Sequence, residues 1–170
     1  MKLFITLLLS IYSMISFSQN LTFENFIGLR EKNLAAVEES LSMKGWSLYT
    51  DENSTNDDLV IFAYRRNESN KHADSFLSYY NYENNERKRV HIQITNKQIY
   101  SNYIARLKIN SFRLIKNSLK NNKIEKVYQN TKTTIFIVVS DEINDSTLEP
   151  FTNYSFSAMS NHEYELNFND

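Results

Sequence analysis

The sequence predicts an α+β fold: tandem helix-then-antiparallel-sheet units forming one compact domain. Three observations lead there. Apolar residues recur with helical spacing at Leu34, Val37 and Leu41, and again at Ile99/Tyr100, Tyr103/Ile104 and Leu107. Alternating runs follow each stretch, as where Val90, Ile92 and Ile94 interleave with Arg89, His91, Gln93 and Thr95. A shift of 66 residues lays Leu34 on Tyr100, Val37 on Tyr103, Leu41 on Leu107, Trp46 on Phe112 and Leu48 on Leu114. Strand runs behind each helix indicate antiparallel sheet, and the two units would cover about 32–95 and 98–168.

Taken in order, Thr22 can N-cap a short helix, with Leu21 and Phe26 as the partners of a hydrophobic staple. A second helix covers about Leu34 to Lys44, and Gly45 suits the left-handed residue that ends it. Strands follow at 46–50, 59–66, 75–83 and 88–95. A helix from Gln98 to Ile109 opens the second half. Strands at 112–119 and 123–129 form a hairpin around "KNNK", and a further strand covers 133–140. A final pair covers 152–159 and 162–168, because Tyr154, Phe156 and Ala158 alternate, as do Tyr164, Leu166 and Phe168; Ser160–Asn161 would be the turn. With only two Gly and one Pro, Asn must supply turns that Gly usually supplies.

The N-terminus reads as an export signal over residues 1–18. Lys2 precedes the apolar "LFITLLLSIYSMI", too short to span a bilayer, and Ser16 and Ser18 occupy the −3 and −1 positions of a cleavage site before Gln19. The remaining 19–170 would form a single domain, exported to the periplasm or medium, with no transmembrane segment after cleavage. It is long enough for a core without staples. The chain has no Cys, so it has no disulfides. A net charge of −1 is ordinary for a globular chain.

Chemistry is sparse. Gly28 and Gly45 cannot form a phosphate-cradling loop. G-x-S-x-G is absent, and a cysteine nucleophile is impossible. His72, His91 and His162 share no metal-binding spacing. The "DENSTNDD" loop lacks the Gly and bidentate Glu of a calcium loop, and "NHEYE" is only loosely ligand-like. The expectation is no catalytic residue, no metal and no cofactor. A triad assembled from distant positions stays open, because triads are recognised by geometry.

Two stretches are candidate contact surfaces. In "FLSYYNYE", Phe76, Tyr80 and Tyr82 would share one strand face and Leu77 and Tyr79 the other; Tyr79, Tyr80 and Tyr82 are candidate aromatic contacts, or simply strand packing. From Lys97 to Lys132 there are nine Lys/Arg and one acid, whereas Asp141 to Asp170 holds seven acids and no Lys or Arg. Within the basic run, Arg113, Lys116, Lys120, Lys123 and Lys126 are candidate contacts for an anionic partner. Two-fold alternation breaks near Lys116, as in a hairpin that reaches beyond the core. Nucleic acid fits an exported chain of pI 6.3 poorly; an acidic protein, glycan or lipid surface fits better. The run could equally be a solvated face that the acidic C-terminal segment neutralises.

The Ser16-Phe-Ser-Gln19 junction, the Asn/Lys-rich composition and the helix ending in "SMKGW" resemble small secreted proteins of Bacteroidota. The helix-then-sheet duplication is similar in outline to the β-lactamase inhibitory protein architecture. That family's disulfides are impossible here, and neither resemblance transfers a binding residue. The expected function is an exported non-enzymatic binding module. Alternatives are a periplasmic hydrolase-like enzyme built from scattered polar residues, and an envelope-associated structural protein held by its basic hairpin.

Overall fold

The computed structural model describes residues 21–49, 58–66, 73–80, 88–144 and 147–168. Helix α1 (Phe23–Gly28), a 3₁₀ turn (Leu29–Glu31) and α2 (Leu34–Ser42) precede β1 (Trp46–Tyr49), β2 (Leu59–Tyr64), β3 (Ser75–Tyr80) and β4 (Arg89–Ile94). Helix α3 (Lys97–Ile109) precedes β5 (Arg113–Lys120), β6 (Lys123–Gln129), β7 (Thr133–Ile143) and β8 (Pro150–Ser160), and α4 (Asn161–Asn167) follows β8. The eight strands form one antiparallel sheet in the order β1-β2-β3-β4-β8-β7-β6-β5. The α+β class is therefore as expected. The proposed leader, with Ser18 and Gln19, lies outside the described residues. Among the described residues no helix is long and apolar enough to cross a membrane.

Local chemistry sets the helix ends. Thr22 accepts from Asn25 N–H, Asn33 from Ala36 N–H, and Asn96 from Gln98 and Ile99 N–H. Each cap satisfies donors that the first helical turn leaves open. At the C-terminal ends Gly45 (φ 80°) and Ser111 (φ 60°) turn left-handed. Gly45 N–H donates to Ser42 O, and Ser111 N–H to Lys108 O, so one kind of stop lies at two places 66 residues apart.

The same offset runs through the strand registers. Leu48 faces Phe62, as Leu114 faces Tyr128; Leu77 faces Ile92, as Ile135 faces Ala158. Only the third strand is shifted: Phe62 faces Leu77, whereas Tyr128 faces Ile135. Helices α1 to α3 cover one face of the sheet. Phe23, Phe26, Val37, Leu41, Tyr103 and Leu107 pack there on Phe62, Leu77, Ile92, Ile137 and Phe156. Each such fully buried apolar side chain stabilises the fold by about 1.5–3 kcal/mol. Arg30 ties this layer to the sheet, donating to Thr133 Oγ1 and Met159 O.

One predicted element is wrong. Residues 162–168 form helix α4, not a strand, and Ser160 is its N-cap, accepting from Glu163 N–H, rather than part of a turn. Tyr164 is buried while Leu166 is 60% exposed, so the apparent alternation does not mark a face. Tyr164 and Phe168, four apart on a helix, cover Val127, Met159 and Phe136 on the second sheet face. Glu163 meets Arg89 at 3.8 Å, and the guanidinium lies between the rings of Tyr80 and Phe168. Helix α4 closes one end of that face; the other end stays open.

Candidate functional site

The β5–β6 hairpin places the basic run. Register slips between Leu114 and Lys116, so Ile115 is the extra residue of a β-bulge. The bulge is the break in alternation that the sequence shows near Lys116. Beyond it, Lys116, Ser118 and Lys120 share the face away from α1–α3, while Asn117 and Leu119 share the helix-bearing face. Asn121 (φ 51°) and Asn122 (φ 60°) make the turn, the left-handed pair that a two-residue hairpin connection requires. Lys120 then faces Lys123, and Leu119 faces Ile124. All four are exposed, with Leu119 at 74% and Ile124 at 43%.

The predicted basic contacts separate into two sets. Arg113, Lys120 and Lys123 are exposed. Lys116 is half-buried and already has an interaction partner. Lys126 is on the helix-bearing face, where its Nζ donates to Tyr100 Oη at 3.2 Å, so it is an internal strut rather than a free contact. The four described ion pairs are Arg30–Glu31, Arg65–Asp74, Arg89–Glu163 and Arg106–Glu24. Among the described residues none joins Lys120 or Lys123 to the acidic C-terminal segment.

The aromatic candidates also divide. Tyr79 is buried and its hydroxyl donates to Lys32 O at 2.7 Å, so it is a core residue and not a surface contact. Tyr80 is half-buried beneath Arg89, whose guanidinium carbon is 3.9 Å from the ring centre. Tyr82 lies outside the described residues. Core packing accounts for Tyr79, whereas Tyr80 remains half-buried under the Arg89 guanidinium.

Of the histidines, His91 is on the second face, with Nδ1 2.9 Å from Ser157 Oγ. Burial, and then the like charge of Arg89, push its pKa down to about 4. An imidazole so weakened is a poor general base, and among the described residues no carboxylate hydrogen-bonds its other nitrogen. His162 is exposed on α4 beside the Arg89-bound Glu163. His72 and the "DENSTNDD" residues 51–57 lie outside the described residues.

The sequence reading missed one feature, a cleft of about 500 Å³ at the open end of the second face. The ends of β3, β4, β7 and β8 build it. Asn153 sits opposite Ser140, and Glu142 lies two residues beyond on the same face. Ser140 Oγ and Asn153 Nδ2 both donate to Glu142 Oε1 at 2.9 Å. Asn153 lines the cleft, is 7% exposed, and its Oδ1 has no hydrogen-bond partner among the described residues. An interior acceptor left unpaired costs about 1–3 kcal/mol. Phe76, Pro150 and Phe151 line the apolar side, and Asp74 and Glu149 the rim. The strands expected at 133–140 and 152–159 run on toward the cleft, with pairing that reaches Ile143 and Pro150.

No family model, curated protein or solved structure matches this chain.

Proposed function

We propose that this protein is an exported, non-catalytic interaction module that meets an acidic protein surface through the tip of its β5–β6 hairpin. The observation that carries the reading is the pairing of exposed Lys120 with exposed Lys123 beside exposed Leu119 and Ile124. Two ammonium groups with no acid partner among the described residues attract an anionic surface, and the aliphatic pair on the opposite side supplies area to bury. A protein fits better than a lipid surface. Asp141, Glu142 and Glu149 flank the end of the neighbouring β7–β8 hairpin, and a uniformly anionic plane would repel that end while attracting the tip. A protein partner can present opposite charges to neighbouring patches. Export rests on the Lys2, apolar and Ser16-x-Ser18 pattern.

The test is capture of exported proteins on immobilised wild-type protein and on the Lys120→Glu/Lys123→Glu variant, at rising salt. The expected result is a defined partner with an acidic patch, released by salt and not retained by the variant. An identical retained set on both proteins would overturn the reading. Binding to phosphatidylglycerol vesicles without any protein partner would replace it with an envelope-surface role.

A further inference from the structure

We propose that the cleft at the open end of the second sheet face binds an organic cation, an ammonium or guanidinium head carried on a short apolar stem. The polar groups at its base are acceptors. Glu142 is held through Oε1 by Ser140 Oγ and Asn153 Nδ2, which fixes its carboxylate and leaves the second oxygen for a ligand. Asn153 Oδ1, next to it, is an interior acceptor with no partner among the described residues. A ligand satisfying both must donate at least two hydrogen bonds, as an ammonium or guanidinium does.

Charge points the same way. Glu142 and Glu149 line the cleft, and among the described residues no Lys, Arg or His does. Asp74 is paired with Arg65 at 3.8 Å, so it adds little net field. An anion would be repelled by Glu142 and Glu149. A metal ion would need a ligand set that the cleft does not bring together: among the described residues no group of three or more His, Cys, Asp or Glu is placed to hold one. Phe76, Pro150 and Phe151 then give the apolar stem a wall, and the ring faces favour a nearby cation. The volume, about 500 Å³, matches small-molecule clefts. A free amine and a lysine or arginine side chain of a peptide share this chemistry. The site does not depend on the hairpin reading, because neither Lys120 nor Lys123 lines it.

The test is a titration of ¹⁵N-labelled protein followed by NMR. The probes are n-pentylamine hydrochloride, pentan-1-ol as its uncharged counterpart, an acetylated lysine tripeptide amide, and calcium chloride. Pentylamine should shift the Asn153 side-chain amide and the Gln93 and Phe76 signals saturably, while pentan-1-ol and calcium leave them in place. Glu142→Gln, at the half-exposed end of β7, should weaken amine binding by about tenfold or more. Gln93→Lys is a second variant at an exposed strand position; it puts a cation at the rim and should abolish binding without disturbing the core. Tighter binding of the tripeptide than of pentylamine would assign the cation to a peptide side chain, and the reverse to a free amine. Equal shifts from pentylamine and pentan-1-ol would overturn the proposal. So would undiminished amine binding in both variants, or a response to calcium alone.

Discussion

His91 lies directly opposite Ser157 across the β4–β8 seam, 66 residues away in the chain, and the two side chains share a hydrogen bond of 2.9 Å. When two like units join edge to edge through antiparallel strands, only one pair on the seam sets a residue against its own counterpart. The offset that matches Leu48–Phe62 to Leu114–Tyr128 is also 66, so His91 and Ser157 occupy that point. The 66-residue offset therefore passes through a local two-fold relation centred on His91 and Ser157.

The seam should titrate. The folded protein holds His91 neutral down to about pH 4, whereas an unfolded histidine takes up its proton near 6.5. Between those values the unfolded chain binds the extra proton, so stability is fully present above about pH 6.5 and falls as pH drops toward 4. The expected loss is on the order of 2 kcal/mol. His91→Gln keeps a hydrogen-bonding group beside Ser157 but cannot titrate. Urea denaturation at stepped pH should show the wild-type advantage shrinking across this window; parallel profiles would mean that the imidazole is well solvated.

Trp46 and Phe112 both follow a left-handed helix stop and both are buried, at 2% and 5% exposure. Trp46 packs on Tyr64 and Phe112 on Phe23. Truncation of either to Ala should cost about 3–5 kcal/mol, since each leaves a large cavity. The check is the denaturation midpoint. A negligible shift for both would remove the equivalence of the two positions.

The stops themselves give a finer prediction. At Gly45 an added Cβ would meet only Tyr64 Cε2 at 3.7 Å, an ordinary contact, so the penalty of Gly45→Ala is backbone strain at φ 80°. It should destabilise by about 1 kcal/mol. Ser111 already bears that strain at φ 60°, and Ser111→Gly should gain up to about 1 kcal/mol. Opposite signs in the two melting temperatures are the expected result.

Much of this was legible because caps and registers are local. Thr22, Gly45 and the alternation of β4 each carry their own chemistry, and the 66-residue offset could be read from apolar spacing alone. Helix α4 was not, because Tyr164, Leu166 and Phe168 satisfy a two-fold pattern while Tyr164 and Phe168 also satisfy a helical one. The deciding signal was Ser160 with Glu163 three residues later, a capping arrangement. The cleft was invisible for a different reason. Asn153, Ser140 and Glu142 come together through strand register, and no spacing in the chain encodes that meeting.

Processing offers a separate check. Cleavage between Ser18 and Gln19 should leave an exported protein starting at Gln19, which can cyclise, and the intact mass of the exported protein reads both events. Full-length chain retained in the cytoplasm would remove the export reading and the choice of partners built on it.

The hairpin lysines should separate stability from recognition. Lys126 donates to Tyr100 Oη and lies 6.0 Å from that ring's centre, and Tyr100 stacks on Tyr154 at 4.3 Å. Lys126→Met keeps the apolar stem and loses the charge, so it should cost about 1 kcal/mol of stability while leaving partner binding intact. Lys120 and Lys123 are exposed at the tip, and exposed substitutions usually change stability by no more than about 0.5 kcal/mol. Reversing both charges should therefore leave the melting temperature nearly unchanged and abolish the salt-sensitive attraction, which acts over a screening length of about 8 Å at physiological ionic strength. Melting curves and partner binding measured on the same two variants decide the matter. If Lys126→Met loses binding at unchanged stability, the contact surface lies on the helix-bearing side of the hairpin. If the double reversal unfolds the protein, the tip lysines have internal partners and the basic run is part of the fold rather than a surface for recognition.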